Sequence, residues 1–426
     1  TRLLKKGGRL GFITSGKFLK SIYGQKLRQH IHRDCTLDQV IDLSALQVFG
    51  GATTYPILLM FHKEREEKPF YYALLRKEPE TGKGSLGDPS DLIEHLASQD
   101  ALLNGIWPPD GERQPLMQKL SARAVSLGEI AERIFQGLVT GADKVFVLED
   151  RGVNTDGTPL AFSRVTQRLH EFEGEVLKPL VIGSRHVHRY WVDDSGLVLV
   201  FPYVQEDKRM ALLRPEVLQH TFPKTWEYLL ANRARLEGRE EGRHKGPDWY
   251  RYGRSQNLGK FDQPKLLLPY MTRRLSCYFD PLGVLYTVNV TTGGYGIVLT
   301  DPKPQEYLRL MGIINSRVAH YWMRARATVH QGGYYGVMHQ YLRSLPIAGI
   351  APGDATDQNI NVQLVGLVQR MLDLQQRKAQ GGLAPSEMQG VNEAITIADQ
   401  DIDGLVYDLY GLTAAERRAV EEATFR

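Results

Sequence analysis

Val48-Phe49-Gly50-Gly51-Ala52-Thr53-Thr54-Tyr55-Pro56-Ile57-Leu58-Leu59-Met60-Phe61 sets an aromatic at the lip of a small-residue loop that feeds an apolar strand. The stretch before it, Gln39-Val40-Ile41-Asp42-Leu43, is also strand-like, so the two read as a hairpin with Phe49 near its tip. A ring on a short, Gly-flanked loop can offer a flat face to a ligand. The alternative is a ring that folds back to cover the core, the commoner fate of a large apolar side chain. Working outward, residues 1–65 read strand, helix, strand, strand over 10–14, 24–32, 37–43 and 54–62. That is an α/β pattern, short of the strands a complete doubly wound domain needs.

Residues 66–120 are charged and punctuated by Pro and Gly, as in Trp107-Pro108-Pro109-Asp110, and read as a connector with some helix over 90–103. A domain spanning 121–350 opens with Ser126-Leu127-Gly128-Glu129, a capping box for a predicted helix over 127–135. Short strands and turns follow, for example at 197–203, 265–270 and 283–290, so this part is α+β. Residues 351–426 form a helical segment, with helix from Val362 onward. Within it Ile395, Ala398, Ile402, Leu405 and Leu409 repeat at helical spacing, which is a packing stripe. Gly411 fits a helix stop, and Thr413-Ala414-Ala415-Glu416 a capping box for a last helix.

The 426 residues leave room for two or three domains. A net charge of +4 decides nothing, but its placement is informative. Lys5, Lys6, Arg9, Lys17, Lys20, Lys26, Arg28 and Arg33 fall in an opening stretch with no acidic residue. A second basic and aromatic stretch runs from Arg233 to Arg274. Both fit a polyanionic partner, and both fit solvated faces. Cys35 and Cys277 make no metal or redox spacing, which agrees with a reducing, cytoplasmic setting. No apolar run approaches membrane-spanning length and nothing resembles a signal peptide, so no membrane partner is expected. The chain starts at Thr1 and runs almost directly into a strand, which is expected of a fragment.

Several tempting signals carry little chemistry. His30, His32 and Cys35 lack the further ligands zinc needs, so no metal is expected. His186 and His188 suit polar surface roles better than ligation. Glu66-Glu67-Lys68 imitates the end of a nuclease motif but sits in a solvated charge run, and Gly293-Gly294-Tyr295-Gly296 lacks dinucleotide-loop spacing. No serine elbow and no phosphate-binding Walker loop is present.

Gly7-Gly8-Arg9-Leu10-Gly11-Phe12-Ile13-Thr14, Tyr23-Gly24-Gln25-Lys26-Leu27-Arg28, Val40-Ile41-Asp42-Leu43 and Val48 to Tyr55 together resemble the last third of an N6-adenine DNA methyltransferase catalytic domain. TaqI-type enzymes and type IIG restriction–modification proteins share this layout. Gly137-Leu138-Val139-Thr140-Gly141-Ala142-Asp143-Lys144-Val145-Phe146 resembles the opening of a TaqI-like target-recognition domain. So do Leu177 to Ser184, Asn315-Ser316-Arg317, Gly332-Gly333-Tyr334-Tyr335 ahead of Leu345-Pro346-Ile347, and Ile402 to Leu412. The fold implied is a partial Rossmann-like α/β sheet, then an α+β recognition domain and a helical C-terminal segment.

The family's glycine-rich cofactor turn and its Asn-Pro-Pro-aromatic loop are absent. Trp107-Pro108-Pro109-Asp110 shares only the Pro pair and lies downstream of where that loop belongs. The resemblance therefore implies S-adenosylmethionine for a parent enzyme, with no cofactor bound by this chain and the missing N-terminal catalytic half as a partner. It further implies double-stranded DNA as partner and Phe49 as the ring that stacks on an adenine flipped out of the duplex. Arg185, Arg189, Arg251, Arg254, Lys260, Arg273 and Arg274 are the DNA-contact candidates, with Tyr334 and Tyr335 as a wedge. A type IIG parent would also cleave DNA. The alternative is a non-catalytic DNA-binding specificity module that acts with a separate modification subunit.

Overall fold

A computed structural model of the chain describes residues 3–43, 56–75, 92–104, 107, 113–122, 124–207, 209–289, 291–327, 333–350 and 353–424. It divides into two units, Thr1–Arg123 with Tyr321–His330, and Ala124–His320 with Gln331–Arg426. The class is mixed α/β, with several small sheets and many helices.

In the first unit, strands β1 (Arg9–Ser15), β2 (Thr36–Asp42), β3 (Pro56–His62), β4 (Phe70–Leu75) and β5 (Leu92–Ala97) make one sheet in the order β1-β3-β2-β4-β5. Only β2 and β4 are parallel. The expected hairpin is present: Ile41 lies opposite Leu58 and Val40 opposite Leu59, on adjacent antiparallel strands. Its connecting segment, with Phe49, lies outside the described residues. Strand alternation turns Leu59 and Phe61 into the core, and the register irregularity between Leu37 and Gln39 lets Leu37 and Val40 join them, each buried. Burial of one such side chain contributes about 1.5–3 kcal/mol.

The helix Gln25–Asp34 covers the core with Ile31. Its start is fixed by Gly24, where an added Cβ would collide with the Phe18 carbonyl. Arg28, one of the expected basic-face residues, is instead buried. Its Nε donates to Leu102 O (2.8 Å) and its Nη1 to Phe18 O (2.6 Å) and Ser21 O (2.7 Å). Strand β1 lies at an edge of the sheet, bonded among the described strands only to β3.

The stretch read as a connector contributes two strands. In place of a helix over 90–103 there are β5 and a helical turn, Ala101–Asn104. Long-range pairing of β5 with β4 overrides a weak helical signal, for example where Tyr72 faces His95 across the strands.

The second unit holds a five-stranded antiparallel sheet in the order 168–171, 159–163, 147–153, 197–200, 177–179. A four-stranded antiparallel sheet runs 278–280, 265–268, 295–299, 131–136. The capping box after Ser126 exists, with the Glu129 carboxylate accepting from Ser126 N (2.7 Å). The helix it opens is only Leu127–Ile130, and Ala131–Gln136 is strand because it pairs with Tyr295–Leu299. In place of the strand expected over 283–290, the described residues there make only the isolated bridges Leu138–Val288 and Leu180–Tyr286.

Helix Ala355–Gln380 starts earlier than Val362, capped by Asp354, whose side chain accepts from Thr356 N and Asp357 N. It folds back onto helix Pro385–Leu409 through Gly381 and Gly382, both at positive φ. No described helix is long and apolar enough to cross a membrane.

Candidate nucleic-acid interface

The turn Gly137–Gly141 lies beside several basic residues of the second unit, Lys144, Arg235 and Arg239 among them. Two distant chain segments donate to its backbone. Asn289 N donates to Leu138 O (2.7 Å), Arg254 N to Val139 O (3.1 Å) and Gly253 N to Thr140 O (2.8 Å). Gly141 stands at φ +69°, a conformation that favours glycine, and its Cα lies against Gly253. Thr140 is buried and its hydroxyl donates to Asp143, which fixes that carboxylate within the turn.

Arg239 crosses beneath this turn. Its guanidinium donates to the carbonyls of Leu236 (2.8 Å), Thr140 (3.0 Å), Trp249 (2.8 Å) and Arg251 (2.9 Å). No carboxylate lies within ion-pair distance of it among the described residues. Burial, aided by Arg251, makes holding its proton harder than usual. Buried His244 is pushed below its ordinary pKa by burial and then by Arg239 and Arg251, so it is neutral at physiological pH.

The expected DNA-contact residues separate into three groups. Arg251 and Arg254 are exposed and share the surroundings of the Gly137–Gly141 turn with Arg239; Arg254 also pairs with Glu240 (2.9 Å). Lys260 is partly exposed in a 3-10 turn nearby in the chain, and Arg185 is exposed on the helical turn Gly183–His186. The loop that follows Asn289 reaches that turn, where Ser184 N donates to Thr292 O (3.3 Å).

Arg273 and Tyr334 form a second group. Arg273 lies over the Tyr334 ring at 4.6 Å, and both are exposed. The short strands Met271–Thr272 and Tyr335–Gly336 hold them together. Tyr335 is different: it is fully buried, with its hydroxyl 2.8 Å from His320 Nδ1, which leaves it inside the core and not at a surface wedge.

Arg189 and Arg274 make a third group. Arg189 makes a two-pronged contact with Asp399 and donates twice to Asn315 O (3.0 and 2.8 Å). Arg274 also reaches Asp399 (3.4 Å), and Arg317 Nε reaches Asp403 (3.1 Å). Burial raises the Asp399 pKa, but the Arg189 hydrogen bonds and charge outweigh it and hold the carboxyl below its usual range. Burial pushes Asp403 the other way, above it. These arginines fasten the chain at 189, 274 and 317 to helix Pro385–Leu409. The acidic partners were not singled out from sequence, where Asp399 and Asp403 look like the polar flank of an apolar stripe.

Other motif residues are also structural. Asn315 is buried and clasps the Cys277 backbone at both ends, donating to its carbonyl (2.9 Å) and accepting from its N–H (2.8 Å). Gly294, at φ +90°, lets the chain press on the Leu268 carbonyl. His30 pairs with Asp34 (2.9 Å), His32 with Asp100 (3.0 Å), and His188 with Asp193 (2.7 Å). Glu66 pairs with Lys68 (2.9 Å) in the open. Among the described residues no group of three or more His, Cys, Asp or Glu is placed to hold a metal ion.

The turn after β1 does not fit S-adenosylmethionine. The turn after β1 carries a single glycine, Gly16, and enters a four-residue helix, Lys17–Lys20, with no acidic side chain to meet a ribose or an ammonium.

Residues 1–49 match the family described as Eco57I restriction-modification methylase. Over 373 residues the chain is 22% identical to the type II restriction enzyme and methyltransferase RM.Eco57I of Escherichia coli, covering 84% of this chain and 36% of that protein. It is 22% identical over 360 residues to the type II methyltransferase M.XhoI of Xanthomonas vasicola, covering 81% of this chain and 60% of the relative. The chain thus spans about a third to three fifths of the length of these relatives. In fold it is similar to the type IIL restriction-modification enzyme MmeI, with a TM-score of 0.56 at 11% identity, over 98% of this chain and 49% of that one.

Proposed function

We propose that this chain, a sequence relative of the type II restriction–modification methyltransferases, supplies the DNA-recognition part of an adenine-specific DNA methyltransferase. The observation that carries the reading is the similarity to RM.Eco57I over 84% of the chain, which runs through both units. In support, the second unit sets solvent-accessible cations on loops and short helical turns: Arg185, Arg251, Arg254, Lys260 and Arg273, the last stacked on Tyr334. Loops carried on a rigid scaffold are the usual location of binding residues. In this reading the basic loop residues anchor phosphates, and the Arg273–Tyr334 pair presents a planar, cationic surface to bases.

The first unit would be the end of a Rossmann-like catalytic domain. Phe49 would then stack on the extruded adenine, offsetting the few kcal/mol of unstacking with about 1–3 kcal/mol. S-adenosylmethionine supplies the methyl group in the whole protein, held by residues other than those described here. The Asn-Pro-Pro-aromatic loop of that catalytic half would hold the target amine.

The test uses the full-length protein in which the chain occurs, with duplex DNA and methyl-labelled S-adenosylmethionine. Label on adenine N6 is expected. Label on cytosine, or DNA left unlabelled, would overturn the assignment.

A further inference from the structure

A pocket of about 520 Å³ opens beside the Gly137–Gly141 turn, lined among others by Thr140, Lys144, Arg235, Arg239 and Asn289. Its electrostatics are one-sided. Lys144 and Arg235 are exposed and have no ion-pair partner among the described residues, and the hydrogen bonds of Arg239 go to carbonyl oxygens. The one acid on the wall, Asp143, accepts from the Thr140 hydroxyl and keeps its charge, so three cations face a single carboxylate. A half-buried cation without a counter-charge is costly, and an arriving anion relieves that cost.

Gly141 fixes the turn that forms this wall. An added Cβ there would be strained at φ +69° and would press on Gly253 Cα at 3.2 Å. The geometry fits an anion with several oxygens, which a guanidinium and an ammonium can bind together.

We propose that this pocket takes one phosphate of the DNA backbone, seated against Arg239 and clamped by Lys144 and Arg235. The proposal rests on the DNA-recognition reading and adds a defined anchor point to it. A phosphate anchor fixes the register of the protein on the duplex and carries no sequence information. Its loss therefore weakens binding to every sequence alike.

The experiment measures affinity of the full chain for duplexes of unrelated sequence across a salt series. It compares the unaltered protein with the double variant Lys144→Gln/Arg235→Gln and with Lys144→Arg. The double variant is expected to bind all duplexes more weakly, with a slope of log affinity against log salt shallower by about 0.9, as neutralising one phosphate fewer requires. Lys144→Arg should keep the original slope. Thermal unfolding of each variant checks the fold, which exposed side chains should leave unchanged. Unaltered affinity and slope in the double variant, while the parent chain binds DNA, would overturn the pocket and leave DNA recognition standing. Undetectable binding by the parent chain at low salt would overturn both.

Discussion

At Asp399 two carboxylate oxygens meet the Arg189 guanidinium, both side chains being 18% exposed, so the contact is shielded from most solvent screening. Removing the acid leaves two arginines without it. Asp399→Asn is expected to destabilise the protein by about 3 kcal/mol at neutral pH, measured by urea unfolding. The pH dependence follows from the lowered pKa of Asp399. The stabilisation is complete above the unfolded carboxylate value and is lost as pH falls through the folded one. The gap between the parent chain and Asp399→Asn should therefore close in strongly acidic solution. A gap independent of pH would mean that the charge contributes nothing.

The neighbouring tyrosines separate binding from packing. Tyr335→Phe removes the hydrogen bond to His320 and should cost about 1 kcal/mol of stability. Tyr334→Ala should leave stability unchanged and weaken duplex affinity, by up to about 3 kcal/mol if a base stacks on the ring. Loss of DNA affinity in Tyr335→Phe with none in Tyr334→Ala would exclude Tyr334 as the contact. Phe49→Ala in the full-length protein should slow methylation while Phe49→Trp preserves it; equal rates for Phe49→Ala and the parent would remove the stacking role.

Among the elements, those specified by local chemistry were legible. The end of helix Pro385–Leu409 is an example. Leu412 N donates to Tyr407 O and Gly411 N to Asp408 O, both at 2.9 Å, with Gly411 at φ +63°. This is the paired closure that glycine permits after a helix. Gly411→Ala should cost about 1 kcal/mol in thermal or urea unfolding, and no loss would show that the turn tolerates a side chain. The capping box at Thr413 is equally local, with Glu416 accepting from Thr413 N (2.7 Å). Elements decided by distant partners were misread. Ala131–Gln136 follows a genuine helix start yet becomes strand because Tyr295–Leu299 lies alongside, and Leu92–Ala97 is strand because Phe70–Leu75 is. Propensity within a window cannot supply that pairing energy.

For the molecule as a whole, the order of motifs pointed to a methyltransferase relative, and sequence similarity along most of the chain agrees. The candidate interface was legible only as a composition. Arginine at 189, 251 and 274 looks alike in sequence, but Arg189 closes on Asp399 across 210 residues while Arg251 stays exposed. Arg239 escaped notice because its importance comes from carbonyls at positions as far apart as Thr140 and Arg251. Distant contacts of this kind decide what each cation does, and no window of sequence contains them.

The central claim, that this chain recognises DNA, is met most directly by one salt titration of the intact chain against random-sequence duplex, followed by fluorescence anisotropy. Several phosphate contacts predict tight binding at low salt and a steep linear fall of log affinity with log salt. A flat, undetectable signal at low salt would contradict the account.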